Sequence, residues 1–290
     1  MVTAEPGVDA GTPSIEEVEA TIQRNLTRRE TQARVSSVLY PTLLVAALLV
    51  LWEAATRTFH IPQFLLPAPT TVLSSLVAHA DLLMKQLWIT TLEIAFGFGL
   101  SIVVGIPLAL AIFLWPPFSR SIFPLLVSSQ AMPKVAIAPL LLVWFGFGLL
   151  PKILIAFLIA FFPVVINTAV GLSAIVREKI YLAWSMGLSG TATFFKIRLP
   201  NALPSIFGGL KISVTLAVVG AVVGEFVGGD AGLGYLLMVA NGSMDTPLLF
   251  ADLLVLTALG VVFFMLVELA ERLALPPHTK GGTAGAMHSV

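Results

Sequence analysis

The 290-residue sequence has no cysteine, few charges (11%) and only four histidines, His60, His79, His278 and His288, none of them inside a long apolar run. Each shortage excludes something. Without cysteine there is no disulfide framework, no thiolate metal site and no cysteine nucleophile. The histidines offer no short-range ligand pair, and no HExxH motif occurs. Soluble domains carry about 25% charged residues, so this chain is neither an ordinary cytosolic enzyme nor a disordered segment. Sixteen Lys and Arg balance sixteen Asp and Glu, so no global charge draws it to nucleic acid. No G-x-x-x-x-G-K-[ST] phosphate cradle is present; GLGYLL and GFGLLPK are glycine-rich but lack that frame. What is abundant is apolar: 57% of residues are hydrophobic and the mean hydropathy is +0.96, the make-up of a polytopic membrane protein.

A membrane-crossing helix needs about 20 mostly apolar residues. Six stretches qualify: 38–55, 88–115, 122–149, 153–172, 205–227 and 247–267. The second and third exceed one crossing and are expected to tilt or break, and Pro133 and Pro139 place a break in the third. The runs are too long and continuous for the alternating segments of a β-barrel, so the predicted fold class is an all-α integral membrane protein of six transmembrane helices. Three segments follow: an N-terminal extension over 1–36, a six-helix membrane domain over 37–275 and a flexible cytoplasmic tail over 276–290. Within the extension, Ser14 and Glu17 fit a capping box. Ile15, Val18, Ile22 and Leu26 recur at helical spacing, predicting an amphipathic helix over 15–34. The apolar run begins too late, after acidic residues, for a cleavable signal.

Cytoplasmic loops collect Lys and Arg. With the N-terminus inside, the inner segments hold Arg24, Arg28, Arg29, Arg34, Arg120, Arg177, Lys179, Lys196, Arg198, Arg272 and Lys280. The outer loops hold Arg57, Lys85 and Lys152, eleven against three. Both termini are therefore expected inside. The outer segment 58–70, TFHIPQFLLPAP within it, reads as extended chain before a helix starting near Thr71.

The inner segment between the fourth and fifth spans, about 173–204, is long for a loop and not loop-like in composition. Residues 178–186 read as a helix that Gly187 stops through a positive φ. Ser189 or Thr191 then caps a second short helix through Arg198, which Pro200 and Pro204 end. That second helix exposes Phe194, Phe195, Ile197 and Leu199 beside Lys196 and Arg198. An apolar knob of this kind either seeks a partner groove or folds back on the inner ends of the spans.

The spacing here resembles the cytoplasmic EAA loop of the membrane subunits of bacterial binding-protein-dependent ABC importers. Ala183, Gly187, Ile197, Leu199 and Pro200 stand in register with that pattern, while Tyr181 and Leu182 replace its first Glu and Ala. SQAMPKVAIAPLLLVWFGFGLLPK and VVGEFVGGDAGLGYLL are similar to the nitrate, sulfonate, taurine and pyrimidine-precursor branch of these permeases. The resemblance covers roughly residues 60–272. It implies a type I importer fold in a bacterial inner membrane, a permease dimer of like or unlike copies, and two cytoplasmic ATPase subunits. It also implies an extracytoplasmic substrate-binding protein and a small anion, sulfonate or heterocyclic vitamin precursor as cargo. Ala183, Gly187, Phe194, Phe195, Ile197, Leu199 and Pro200 are the implied ATPase-coupling residues. No cofactor is expected on this chain, and Mg-ATP belongs to the partner ATPase.

Ionisable groups at bilayer depth are costly and point to function. Lys211 is near a span end and can snorkel. Glu93, Glu225 and Asp252 sit near outer ends, where they reach headgroups or pair with one another. Lys134, directly after Pro133, falls near the midplane. Either Gln130, Lys134 and Asn167 line the translocation pathway, or Lys134 is a structural lysine paired to Glu93, Glu225 or Asp252. Gly220, Gly224 and Gly228 form a small-residue stripe that serves packing within the chain or the seam between two copies. A stand-alone ion-coupled transporter is the second functional reading, but it calls for midplane carboxylates and inverted repeats that the sequence lacks. An intramembrane enzyme would need a nucleophile–base pair or metal ligands within the spans.

Overall fold

In lipid, every backbone N–H and C=O must be satisfied within its own segment or a closed sheet. A computed structural model of the protein describes residues 39–275, and every regular element among them is a helix. The amphipathic helix expected over 15–34 and the tail 276–290 lie outside the described residues. The described residues divide into two compact units, 39–62 and 63–275. The first contributes α1, Leu39–Thr58, with an Arg57–Glu53 ion pair one turn apart (2.6 Å).

The second unit begins with α2 (Pro69–Ala78) and the 35-residue α3 (Ala80–Leu114). Next come α4 (Pro116–Gln130), a 3-10 turn (Lys134–Ile137) and α5 (Ala138–Phe145). After α6 (Leu149–Ser173) follow α7 (Arg177–Ser185), α8 (Gly190–Thr193), a π-helical turn (Phe194–Arg198) and α9 (Leu199–Gly228). The unit closes with α10 (Leu233–Gly242) and α11 (Thr246–Ala274). Among the described residues, five helices are individually long and apolar enough to cross a membrane; the bent pair α4–α5 makes a sixth if it counts as one span.

That pair turns through 87° at residues 131–133, so the break expected in the third run falls at Pro133. Pro139 does not break anything: it stands in the first turn of α5, where a missing N–H costs no bond. Along the bent pair, the neighbours on α6 shift from its end toward its start. Phe118 and Ile122 pack with Ala169 and Val165, Lys134 lies over Phe162, and Leu141 packs on Ile155.

The core is the α3–α6–α9 sandwich, with α6 between its neighbours. Gly97 and Gly105 of α3 face Ala156 and Val164 of α6 in parallel, whereas Gly220 and Gly209 of α9 face Ala156 and Asn167 in antiparallel order. The stripe on α9 is thus an intrachain seam. A Cβ on Gly220 would stand 2.6 Å from the Ala156 Cα, and one on Gly224 3.0 Å from the Lys152 Cα. Lipid offers no hydrophobic gain for joining apolar helices, so this close backbone approach and a few buried hydroxyl bonds hold them. Ser213 Oγ donates to the Ala160 carbonyl (2.6 Å) and Ser205 Oγ to that of Asn167 (2.9 Å).

Two sequence expectations fail here. Pro200 and Pro204 do not end the second loop helix; residues Gly190–Gly228 form one 39-residue helical path. The Leu199 N–H bonds the Phe194 carbonyl five residues back, a π-helical step that resets the ladder just where Pro200 has no donor to give. Lys152 is not a loop residue either, because α6 begins at Leu149 and carries it inward.

Gly220→Ala is expected to destabilise the bundle by about 1–3 kcal/mol through overpacking against the α6 backbone. Gly208→Ala, with no atom within 4 Å of the added Cβ, is the matched control. Thermal unfolding in detergent should lower the midpoint for the first and not for the second.

Candidate functional site

Two groups of residues stand out, at opposite ends of the α3–α6–α9 sandwich. The first is the segment between α6 and α9. Gly187 takes φ +79° and ends α7, and the Leu188 N–H closes the turn on the Ala183 carbonyl (3.1 Å). Ser189 Oγ accepts the Ala192 N–H (3.2 Å), so the expected cap is in place. Ala183 and Ile180 face inward and are buried.

The apolar face exposed by this segment differs from the expected one. Phe195 is 61% exposed, but Phe194 turns in against Phe113 (centroids 6.4 Å apart). Leu199 packs on the lower core, and Ile197 is half-buried. The larger exposed surface is on α7 and its C-cap: Tyr181, Leu182 and Trp184 with Met186, the Tyr181 and Trp184 rings edge to face at 5.9 Å. Sequence reasoning passed over these four, although their placement ahead of a glycine stop on a helix with two buried positions was the available signal.

The second group surrounds a buried cation. Lys152, in the first turn of α6, is 1% exposed. Its Nζ lies 3.4 Å from Glu93 Oε1 of α3, ion-pairs with Asp230 and donates to the Ala231 carbonyl (2.9 Å). The same turn is gripped from α3: Gly232 N–H donates to Gln86 Oε1 (2.7 Å) and Leu233 N–H to Thr90 Oγ1 (2.8 Å). Thr90 donates onward to Glu225 Oε1, and Glu225 Oε2 accepts the Gly234 N–H, both at 2.5 Å. Glu225 at the end of α9 thereby caps the start of α10, where its carboxyl oxygen accepts an N–H that has no partner within the helix. Asp252 of α11 is also fully buried beside Glu225. Glu93, Glu225 and Asp252 are fully buried and do not reach headgroups; Lys134 is not their partner, and Lys152 pairs with Glu93 alone among the three. Lys211, expected to snorkel, pairs with Glu271 (2.5 Å).

Of the pathway candidates, Lys134 lies at the bend, with Nζ 4.1 Å from the Phe162 ring centroid at the middle of α6. Gln130 is the exposed last residue of α4. Asn167 is half-buried, donates to the Pro163 carbonyl (2.9 Å) and packs on Gly209. Lys134 and Gln130 share the bend, while Asn167 belongs to the α6–α9 seam. No group of three or more His, Cys, Asp or Glu among the described residues is arranged to hold a metal.

Comparison with known proteins bears on this arrangement. Residues 97–274, more than half of the chain, match the family described as binding-protein-dependent transport system inner membrane component. The chain belongs to this family. It is a permease of the ABC importer type. Among curated relatives, a probable ABC transporter permease protein of Haemophilus influenzae is 38% identical over 80% of this chain and 94% of the relative. The formylaminopyrimidine transport permease protein ThiX of Halalkalibacterium halodurans is 37% identical over 82% and 95%. The riboflavin transport system permease protein RibX of Chloroflexus aurantiacus is 40% identical over 78% and 85%. Among solved structures, a chain of the MetNI methionine ABC transporter in an inward-facing conformation shares the fold. It gives a TM-score of 0.58 at 19% identity, over 69% of this chain and 99% of that one.

Breaking one member of a buried ion pair costs about 3–5 kcal/mol because the other charge is left uncompensated. Lys152→Met should therefore lower detergent thermal stability strongly, and adding Glu93→Gln should recover part of the loss. Equal stability of the single and double variants would show that Glu93 does not balance Lys152.

Proposed function

We propose that this permease forms the membrane pathway for a small anion, sulfonate or heterocyclic vitamin precursor. In this reading it pairs with a like or unlike permease copy, two ATPase subunits that carry Mg-ATP, and an extracytoplasmic binding protein. It lies in a bacterial inner membrane with both termini on the ATPase side, its membrane domain over 37–275. The relatives named for formylaminopyrimidine and riboflavin support the heterocyclic end of that range.

The observation that carries the coupling role is the exposed apolar face of α7 and Phe195 beside the Gly187 bend. Helix-in-groove docking uses such anchors. Tyr181, Trp184, Met186 and Phe195 would enter the ATPase groove. Ala183, Gly187, Phe194, Ile197, Leu199 and Pro200 would hold the loop's shape and its attachment to α9. Because Phe195 is on the same continuous helical path as Glu225, a push at the loop moves the whole of α9. The far end of α9 carries the turn that Lys152, Gln86 and Thr90 grip. ATPase closure would thus rock α9 and its α6 seam, giving alternating access. For the cargo, Gln130 and Lys134 at the bend would offer an amide and a cation, with Asn167 deeper along α6.

Trp184→Ala with Phe195→Ala should lower co-purification of the ATPase by about tenfold or more, since central aromatic anchors carry most of a docking energy. Membrane insertion should be unchanged. Full retention of the ATPase by this variant would reject the docking face. Lys134→Met should reduce ATP-driven uptake without altering that co-purification, read as a raised KM for an anionic cargo. Uptake kinetics equal to the parent would remove Lys134 from the pathway.

A further inference from the structure

At the coupling end, a cavity of about 690 Å³ opens between the end of α3, the start of α4, the end of α6, α7 and the π-helical turn. This lies within the range of small-molecule sites, about 300–1,000 Å³. Its walls are of two kinds. Ile112, Phe113 and Phe123 give an apolar side; Arg177, Arg198 and Ser119 give a polar one, and no acidic residue lines it. Arg198 is held in position, its guanidinium carbon 4.9 Å from the Phe113 ring centroid and Nη1 3.5 Å from the Leu172 carbonyl. A guanidinium has five N–H donors, so most remain free. The segment 173–204 carries Arg177, Lys179, Lys196 and Arg198 against a single acid, Glu178. None of these forms an ion pair among the described residues. Close to this cavity, the exposed Trp115 stacks on Phe118 (5.9 Å, 7° between planes). Exposed Trp at a helix end is the residue that settles at the headgroup level of a membrane.

We propose that this cavity binds an anionic phospholipid from the leaflet on the coupling-loop side, with the phosphate on Arg177 and Arg198 and the acyl chains on Ile112, Phe113 and Phe123. A free phosphate would use the arginines but leave the apolar wall bare. A zwitterionic lipid would use the wall but bring a choline cation beside two arginines that no acidic residue balances. A ligand with acyl chains and a net negative headgroup satisfies the whole surface, and basic pockets at the membrane face of helix bundles take anionic headgroups. Because α7 and the π-helical turn form part of the wall, a bound lipid braces the coupling segment against α3 and α6. The inference rests on the cavity and its charges and does not depend on which ATPase or cargo the permease serves.

The test uses the full chain with whatever subunits co-extract, placed in nanodiscs of phosphatidylcholine doped with phosphatidylglycerol, with retained lipid read by native mass spectrometry. Retention of phosphatidylglycerol over phosphatidylcholine is expected, and Arg177→Gln with Arg198→Gln should lower it by about thirtyfold, two contacts at the usual worth of a cation near a membrane surface. Arg177→Lys with Arg198→Lys should keep most of it, which guards against simple misfolding. Lys179→Gln with Lys196→Gln, cations of the same segment outside the cavity, should leave it unchanged. Equal loss in both Gln pairs would mean diffuse charge attraction and would overturn the site. So would displacement of the lipid by millimolar inorganic phosphate, which would make it a free-anion site, or loss of retention when an ATPase subunit is bound.

Discussion

A lysine ammonium shut away from both water and headgroups has to be met by anions and carbonyls, and Lys152 imposes that demand on the bundle. Its partners come from α3, through Glu93, and from the turn after α9, through Asp230 and the Ala231 carbonyl. Those elements must therefore arrive at the same place at the start of α6. Two backbones can come that close only because Gly220 and Gly224 present no side chain to α6. The turn in question is then fixed from its other side by Gln86 and Thr90, so one buried charge sets the relative height of three long helices. A purely apolar interface in lipid would have let them slide.

The opposite end is built on a different principle. There the segment between α6 and α9 leaves Tyr181, Leu182, Trp184, Met186 and Phe195 on its outer surface and turns Ile180, Ala183 and Phe194 inward. The π-helical turn carries the chain past Pro200 without a break, so Phe195 rides on an extension of α9, and α7 joins that extension through the Gly187 turn. At 1.5 Å per residue the path from Gly190 to Gly228 spans about 58 Å, enough to link the segment between α6 and α9 to the far end of the bundle. The charged end resists sliding and the other end leaves an apolar surface outward.

Much of this was legible from residues alone where the cause is local. Gly187 was readable as a helix stop, Ser189 as a cap and Pro133 as a break, because each acts through its own backbone or its nearest neighbours. The prolines at 200 and 204 were misread for the same reason: a proline's local preference ends helices, but a π-helical step upstream can absorb its missing donor. Phe194 and Trp184 were exchanged in importance. Both are aromatic residues on short helices, and which one faces outward depends on whether Phe113 from a distant helix is there to receive it.

Sequence by itself determined the membrane class, the long apolar helices, the bend at Pro133 and the segment built around Gly187, since hydropathy and turn chemistry are properties of contiguous residues. It also carried the spacing that marks the ABC permease family. Tertiary structure decided which lysine is buried and paired. Lys134 and Lys152 look alike in a list of charges near spans, and the first seemed the deeper. Only the packing of α3 and of the turn after α9 against the first turn of α6 brings Glu93 and Asp230 to Lys152, while Lys134 meets the face of Phe162 instead. An ion pair is a relation between segments 59 and 78 residues apart along the chain (152 − 93 and 230 − 152), and no local pattern encodes it.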